Sequence, residues 1–171
     1  KGLVDKDLII ICNGFKKPQY VRNMANFLNE GWHNLIPVLD NKNELEDLDD
    51  IVEVPTNLGI RIAAEEEPSF DFYTSRLGIR YSDIIPFYKN GISKNPKFKL
   101  KMLHFFINTG IRDTSYYWNE LSRCLNLYCD LRQICPDLDS LNIGGGLPIK
   151  TSLTWDYDYK YMIEEIVNQI K

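Results

Sequence analysis

Short apolar runs alternate with helical periods along the whole chain. The first run, Leu8–Cys12, ends in the turn Asn13-Gly14. A helix is predicted from about Pro18, since proline is tolerated at the first helical position, where its missing N–H would be unpaired anyway. Val21, Met24, Ala25 and Leu28 give this helix one apolar face, and Gly31 is its predicted stop. The second run is Leu35–Leu39. Its Pro37 weakens the strand unless the missing N–H falls at an unpaired position. A short acidic helix follows at about Lys42–Asp50, and the third run is Leu58–Ala63.

A long segment, Ala64–Gly78, comes next, and loops of that length in compact domains are usually functional. Ser82 is the predicted cap of a helix reaching about Ser93. The fourth run, Leu100–Ile107, ends in Asn108-Thr109-Gly110. Its helix is predicted from near Asp113, with Tyr117, Leu121, Cys124, Leu125, Tyr128 and Leu131 on one face. The fifth run, Leu138–Ile143, ends in Gly144-Gly145-Gly146. A last helix spans about Asp156–Ile170 and offers Tyr161, Ile163, Ile166, Val167 and Ile170 for burial.

Five β-then-α units in a row predict an α/β fold with a parallel sheet and right-handed crossovers. Two architectures satisfy the pattern. One is a five-stranded doubly wound sheet, complete at this length. The other is an incomplete TIM barrel of about five of the eight (β/α) units, since a whole barrel normally takes about 250 residues. In both, ligands bind at the carboxyl ends of the strands. That directs attention to Asn13-Gly14, Asp40, Arg61, the segment from Phe106 to Gly110, and Gly144 to Gly146.

Composition narrows the classes. The 171 residues are 44% hydrophobic and 26% charged, with a formal charge of −4, as in ordinary globular domains. No apolar run approaches the ~18 residues of a membrane helix. The acidic balance argues against a nucleic-acid partner. Cys12, Cys124, Cys129 and Cys135 form no C-x-x-C pair, so small buried apolar side chains are expected rather than zinc ligands. Without a secretion signal the expected compartment is the reducing cytoplasm. The start at Lys1-Gly2-Leu3, with no initiator Met, suggests a piece of something longer.

The strand ends carry the candidate chemistry. Three glycines after a buried strand let backbone approach a ligand and can turn N–H groups toward a phosphate, or they simply make a tight turn. Arg61 alternates onto one face with Gly59 and Ala63, where it either reaches into a pocket or pairs with an acid. His104, Phe106 and Asn108 share a face by the same rule, as core residues or as pocket wall. Thr109 is placed to bond a phosphate or its own turn. Glu65-Glu66-Glu67 and Asp47, Asp49 and Asp50 read as solvated charge, and no metal site is expected. Trp32 and His33 read as surface or interface residues. No G-x-S-x-G, H-E-x-x-H or P-loop occurs.

Taken in order, Cys-Asn-Gly-Phe-Lys, Gly-Ile-Arg-Ile-Ala, Ser-Arg-Leu-Gly, Leu-His-Phe-Phe-Ile-Asn-Thr-Gly and Asn-Ile-Gly-Gly-Gly-Leu-Pro resemble the pyridoxal-phosphate-dependent decarboxylases of basic amino acids. These have an alanine-racemase-like barrel and act on arginine, ornithine or diaminopimelate. The resemblance spans essentially all of residues 1–171, and the opening motif is most like the arginine decarboxylases. It implies a partial cofactor-binding barrel domain with pyridoxal 5′-phosphate as cofactor. Gly144, Gly145 and Gly146 match the phosphate loop, Thr109 a phosphate-bonding serine, and Arg61 an arginine of the cofactor pocket. Phe106 takes the place of a histidine that stacks on the pyridine ring, with His104 beside it. Ser75 and Arg76 match an interface and active-site loop. Asn108 departs from a glycine, and Asn142 from an aspartate.

The resemblance further implies that the lysine holding the cofactor precedes position 1. The pyridine-nitrogen carboxylate, a phosphate arginine and a second domain follow Lys171. No catalytic residue is therefore expected in the segment itself, which is expected to be inactive alone. The implied parent converts arginine to agmatine and CO2, toward polyamines such as spermidine, as a cytoplasmic dimer or larger homo-oligomer. The alternatives are a decarboxylase for ornithine, diaminopimelate or a carboxylated polyamine, or a non-catalytic relative that binds or regulates an active homologue.

Overall fold

A computed structural model describes residues 7–64, 77–149 and 156–171. Ser75, Arg76 and the Glu65–Glu67 run lie outside the described residues. The elements in order are β1 (Ile10–Cys12), α1 (Pro18–Asn29), β2 (Leu35–Leu39), α2 (Glu44–Asp49), β3 (Thr56–Ala63), β4 (Ile79–Arg80), α3 (Tyr81–Asn90), a 3-10 turn (Ile92–Lys94), β5 (Phe98–His104), α4 (Ser115–Ile134), β6 (Ser140–Asn142) and α5 (Tyr159–Ile170).

Five strands run parallel in the order β1-β2-β3-β5-β6. This order decides between the two predicted architectures. A doubly wound sheet reverses its order at a switch point. Here strands follow one another along the sheet without reversal, the arrangement of a partial TIM barrel. The additional strand, β4, pairs with Ile62 and Ala63 of β3. The Gly78 N–H donates to the Asp40 carbonyl at 2.8 Å, so β4 takes the place beside β3 that β2 leaves when it ends.

The buried strands explain their apolar runs. Leu58, Ile60 and Ile62 of β3 are at most 1% exposed, and Gly59 and Arg61 between them are buried as well, as expected of a parallel strand covered on both faces. Burying each such aliphatic side chain is worth about 1.5–3 kcal/mol. Pro37 sits where β2 changes partners: Leu35–Pro37 pair with β1, and only Val38 and Leu39 pair with β3. In α1 the predicted face of Val21, Met24, Ala25 and Leu28 is the buried one. Gly31, at φ +89°, closes the helix end as its N–H bonds Leu28 O and the Trp32 N–H bonds Phe27 O.

Several expectations change. Ser82 lies inside α3 rather than capping it, because β4 runs straight into the helix and Arg80 holds the cap position. The cap of α4 is Thr114, whose hydroxyl accepts from the Tyr117 N–H, and Asp158 does the same for Tyr161 in α5. Leu127, not Leu125, is buried on α4. On α5 the buried residues are Met162 and Ile166, while Tyr161, Ile163, Val167 and Ile170 are exposed. That helix carries apolar residues on two faces, and packing, not period, selects one. Trp32 is buried, edge-on to Phe27 at 5.7 Å. Cys12, Cys124 and Cys135 are buried, but Cys129 is exposed.

Candidate cofactor site

At the carboxyl ends of β1, β3, β5 and β6 lies an open hollow of about 400 Å³. One wall is Arg61 and Phe106, with the guanidinium carbon 5.3 Å from the ring centroid. The pairing of β3 with β5 shifts register between Leu58 and Gly59 and brings Arg61 opposite His104. The floor is His104 and Asn142, themselves register partners. Asn13 and Gly14 close one side, and Gly144 and Gly145 the other.

The glycine run is built for close approach. Gly144 has φ +75°, and a Cβ there would meet Phe105 O at 2.7 Å and Phe106 Cδ2 at 3.1 Å. The Asn142 side chain accepts from the Gly144 N–H at 2.8 Å and shapes the turn. Around Gly145 there is open space, with no atom within 4 Å of a would-be Cβ. Gly146 packs against Gly110: its carbonyl accepts from the Ile111 N–H at 3.1 Å. Thr109 therefore lies on a turn held against the glycine run, half-buried. Thr109 and Gly146 adjoin the hollow but do not line it.

Beneath Arg61 lies a buried group of charges. Lys16 Nζ is 2.9 Å from Glu44 Oε2 and 3.3 Å from Asp40 Oδ2, and all three side chains are at most 6% exposed. Arg61 Nη1 is 3.7 Å from Asp40 Oδ1. Lys16 also donates to the Gly14 carbonyl at 3.1 Å, and Glu44 accepts from the Asp40 N–H at 2.8 Å. Two cations thus face two anions, which is what keeps buried ions tolerable. Burial pushes the Glu44 carboxyl up, outweighing the Lys16 ammonium beside it. Asp40 stood out in the sequence as a strand-end residue. Its partnership with Lys16 and Glu44 had no sequence signal, since 24 residues separate Lys16 from Asp40.

His104 is 3% exposed. Burial, with the Arg61 charge adding to it, lowers its pKa from the usual 6.5 and favours the neutral ring. Asn13 Nδ2 lies 3.4 Å from its Nε2, the geometry of an amide donor facing an unprotonated ring nitrogen. His104 Nδ1 and Arg61 Nε are buried and carry no hydrogen bond among the described residues. The hollow thus offers one cation, one aromatic face and bare glycine backbone. That set suits a flat, anionic, aromatic ligand. No group of metal-ligating side chains occurs among the described residues.

The sequence profile described as pyridoxal-dependent decarboxylase, pyridoxal binding domain, matches residues 3–171. The biosynthetic arginine decarboxylase of Vibrio cholerae is 24% identical over 161 residues, covering 88% of this chain and 24% of that protein. The chain spans about a quarter of the length of such curated relatives. Among solved structures, diaminopimelate decarboxylase from Helicobacter pylori, complexed with L-lysine, superposes with a TM-score of 0.75 at 14% identity, covering 94% of this chain and 42% of that one. The biosynthetic arginine decarboxylase of Campylobacter jejuni superposes with a TM-score of 0.64 at 23% identity, covering 94% of this chain and 28% of that one. At these identities the structures show the shared fold.

Proposed function

Since the chain belongs to the pyridoxal-dependent decarboxylases through their pyridoxal binding domain, we propose that its hollow forms the phosphate cradle and one ring wall in a decarboxylase acting on arginine. The carrying observation is that Gly144 and Gly145 come from one strand end, Phe106 from a second and Arg61 from a third, yet all line one hollow. The residues fit pyridoxal 5′-phosphate. A side chain on Gly144 would collide with Phe105 and Phe106, so the cradle needs glycine there, and the space at Gly145 is open.

When bound, pyridoxal phosphate supplies an electron sink for the charge left on the substrate carbon as CO2 departs. The residues of this chain hold and surround it. Backbone at Gly144 and Gly145, with Gly146 and Thr109 adjoining, receives the phosphate. The Phe106 ring offers its apolar face to the pyridine. Arg61 supplies the positive charge of the pocket. His104, kept neutral, fills the floor without adding a second charge. Ser75 and Arg76 are assigned to an interface loop by likeness alone.

Substrate choice rests on likeness to arginine decarboxylases, with agmatine as product and polyamine synthesis as the setting. Ornithine, diaminopimelate and carboxylated polyamines are the competing substrates. The reading carries with it a cytoplasmic homodimer or larger homo-oligomer. The Phe106 ring favours one other reading, a non-catalytic relative that keeps the barrel, because phenylalanine neither hydrogen-bonds nor titrates. No lysine among residues 1–171 matches the family's cofactor-carrying one, so residues 1–171 alone are proposed to be inactive.

Three measurements test the proposal. CO2 release from labelled arginine, ornithine and diaminopimelate by the intact protein is expected to be greatest with arginine. Failure to bind pyridoxal phosphate would remove the enzyme reading. Release from arginine by residues 1–171 alone would overturn the proposed inactivity.

A further inference from the structure

We propose that Asp40, which does not line the hollow, is the positioning residue that sets Arg61 against the Phe106 ring. It deepens the reading of the hollow as a cofactor site, and only its ligand arm rests on that reading.

Asp40 directly follows β2 and is 1% exposed. Its Oδ2 faces Lys16 Nζ at 3.3 Å, and its Oδ1 faces Arg61 Nη1 at 3.7 Å. Oδ1 has no hydrogen bond among the described residues, and it faces the guanidinium as an ion pair. Lys16 and Glu44 complete the group: the ammonium offsets one carboxylate, and the second carboxylate is tied to the Asp40 N–H. Removing the Asp40 charge would leave Lys16 and Arg61 sharing Glu44 alone, with one excess positive charge under the hollow. Like charges in a poorly solvated site repel, and Arg61 lines the open hollow, so its guanidinium is expected to shift toward that space.

The backbone of Asp40 extends its reach. Its carbonyl accepts from the Gly78 N–H and its N–H is held by Glu44, so the side chain is aimed by two anchors independent of Arg61. Lys16, the other cation on Asp40, also donates to the Gly14 carbonyl on the rim of the hollow. The carboxylate thus connects the strand end carrying Arg61 with the rim turn, and a guanidinium over an aromatic face is the arrangement it enforces.

The test uses the intact protein and two readouts. The first needs no ligand: modification of Arg61 by phenylglyoxal, followed by peptide mapping, with half-exposed Arg123 as internal reference. In Asp40→Asn, Arg61 is expected to react several-fold faster while Arg123 is unchanged. The second is equilibrium binding of pyridoxal 5′-phosphate in a double-mutant cycle. Asp40→Asn is expected to weaken binding about tenfold, and to weaken it little further when Arg61→Gln is already present. Unchanged protection of Arg61 in a folded Asp40→Asn protein overturns the proposal, and so do fully additive losses in the cycle. If Asp40→Asn does not fold, Asp40→Glu serves: its longer arm must change Arg61 reactivity and leave Arg123 alone, or the proposal falls. Lost protection in a protein that binds no pyridoxal phosphate would sustain the positioning role and sink the cofactor reading.

Discussion

The Arg61 guanidinium lies over the Phe106 ring, 5.3 Å from its centroid, while Asp40 faces it at 3.7 Å. The same side chain is therefore both a pocket cation and a member of a buried ion group. Its Nε is buried and carries no hydrogen bond among the described residues.

Replacing Arg61 with Gln removes that charge with little change of shape. Hydrogen bonds to charged groups are worth about 1.5–3 kcal/mol, so affinity for pyridoxal 5′-phosphate should fall by about ten- to a hundredfold. Titration of the cofactor absorbance measures it.

Phe106→Leu keeps the apolar bulk and removes the aromatic face. Ring stacking contributes about 0.5–1.5 kcal/mol, so pyridoxal phosphate should bind up to about tenfold more weakly. Inorganic phosphate, which has no ring, should compete as before, and equilibrium dialysis with both ligands separates the two effects.

The two glycines of the cradle should respond differently. Gly144→Ala forces a Cβ within 2.7 Å of Phe105 O at a positive φ, a strain of about 1–3 kcal/mol, and should lower the melting temperature. Gly145→Ala meets no atom within 4 Å and should leave stability nearly unchanged while weakening phosphate binding. Calorimetry of both variants with and without ligand checks the contrast.

Lys16→Met should be costly, because the lysine side chain is fully buried between Asp40 and Glu44. It strands Asp40 and Glu44 beside each other, and breaking a buried pair costs about 3–5 kcal/mol. The urea midpoint should drop accordingly, and the loss should shrink at acid pH, where burial already favours a protonated Glu44.

His104 sets a pH dependence of stability. Its folded pKa lies below the usual 6.5, so between those values the unfolded chain binds more protons. The stability it contributes is present above pH 6.5 and is lost as pH falls through the folded value. Glu44 acts in the opposite sense, its contribution falling as pH rises above the usual 4.5. His104→Gln should remove the part of the slope just below pH 6.5, read from denaturation at a series of pH values.

How far the sequence carried is visible in particular residues. Pro18, Gly31 and the face of Val21 to Leu28 act through neighbours one turn away, so they can be read locally. Arg61 was legible as either a pocket residue or a partner of an acid, and it is both. Trp32, Cys129 and the second apolar face of α5 depart from the expected pattern, because burial there depends on segments far along the chain. Ser82 as a cap failed for the same reason: β4 exists only through its pairing with β3.

The sequence by itself determined that the chain alternates strand and helix, where most elements lie, and that glycines, an arginine and aromatic residues fall at strand ends. These follow from period, propensity and turn chemistry, which act over a few residues. Only the tertiary structure decided that the strands follow one another without reversal and so belong to a barrel. It alone brought Gly144, Phe106 and Arg61 to one hollow, and set Lys16, Asp40 and Glu44 beneath it, where with Arg61 they form a charge-balanced group. The cause is physical: side-chain contacts and the balancing of buried charge join residues 24 to 91 positions apart, and no local pattern records which will meet.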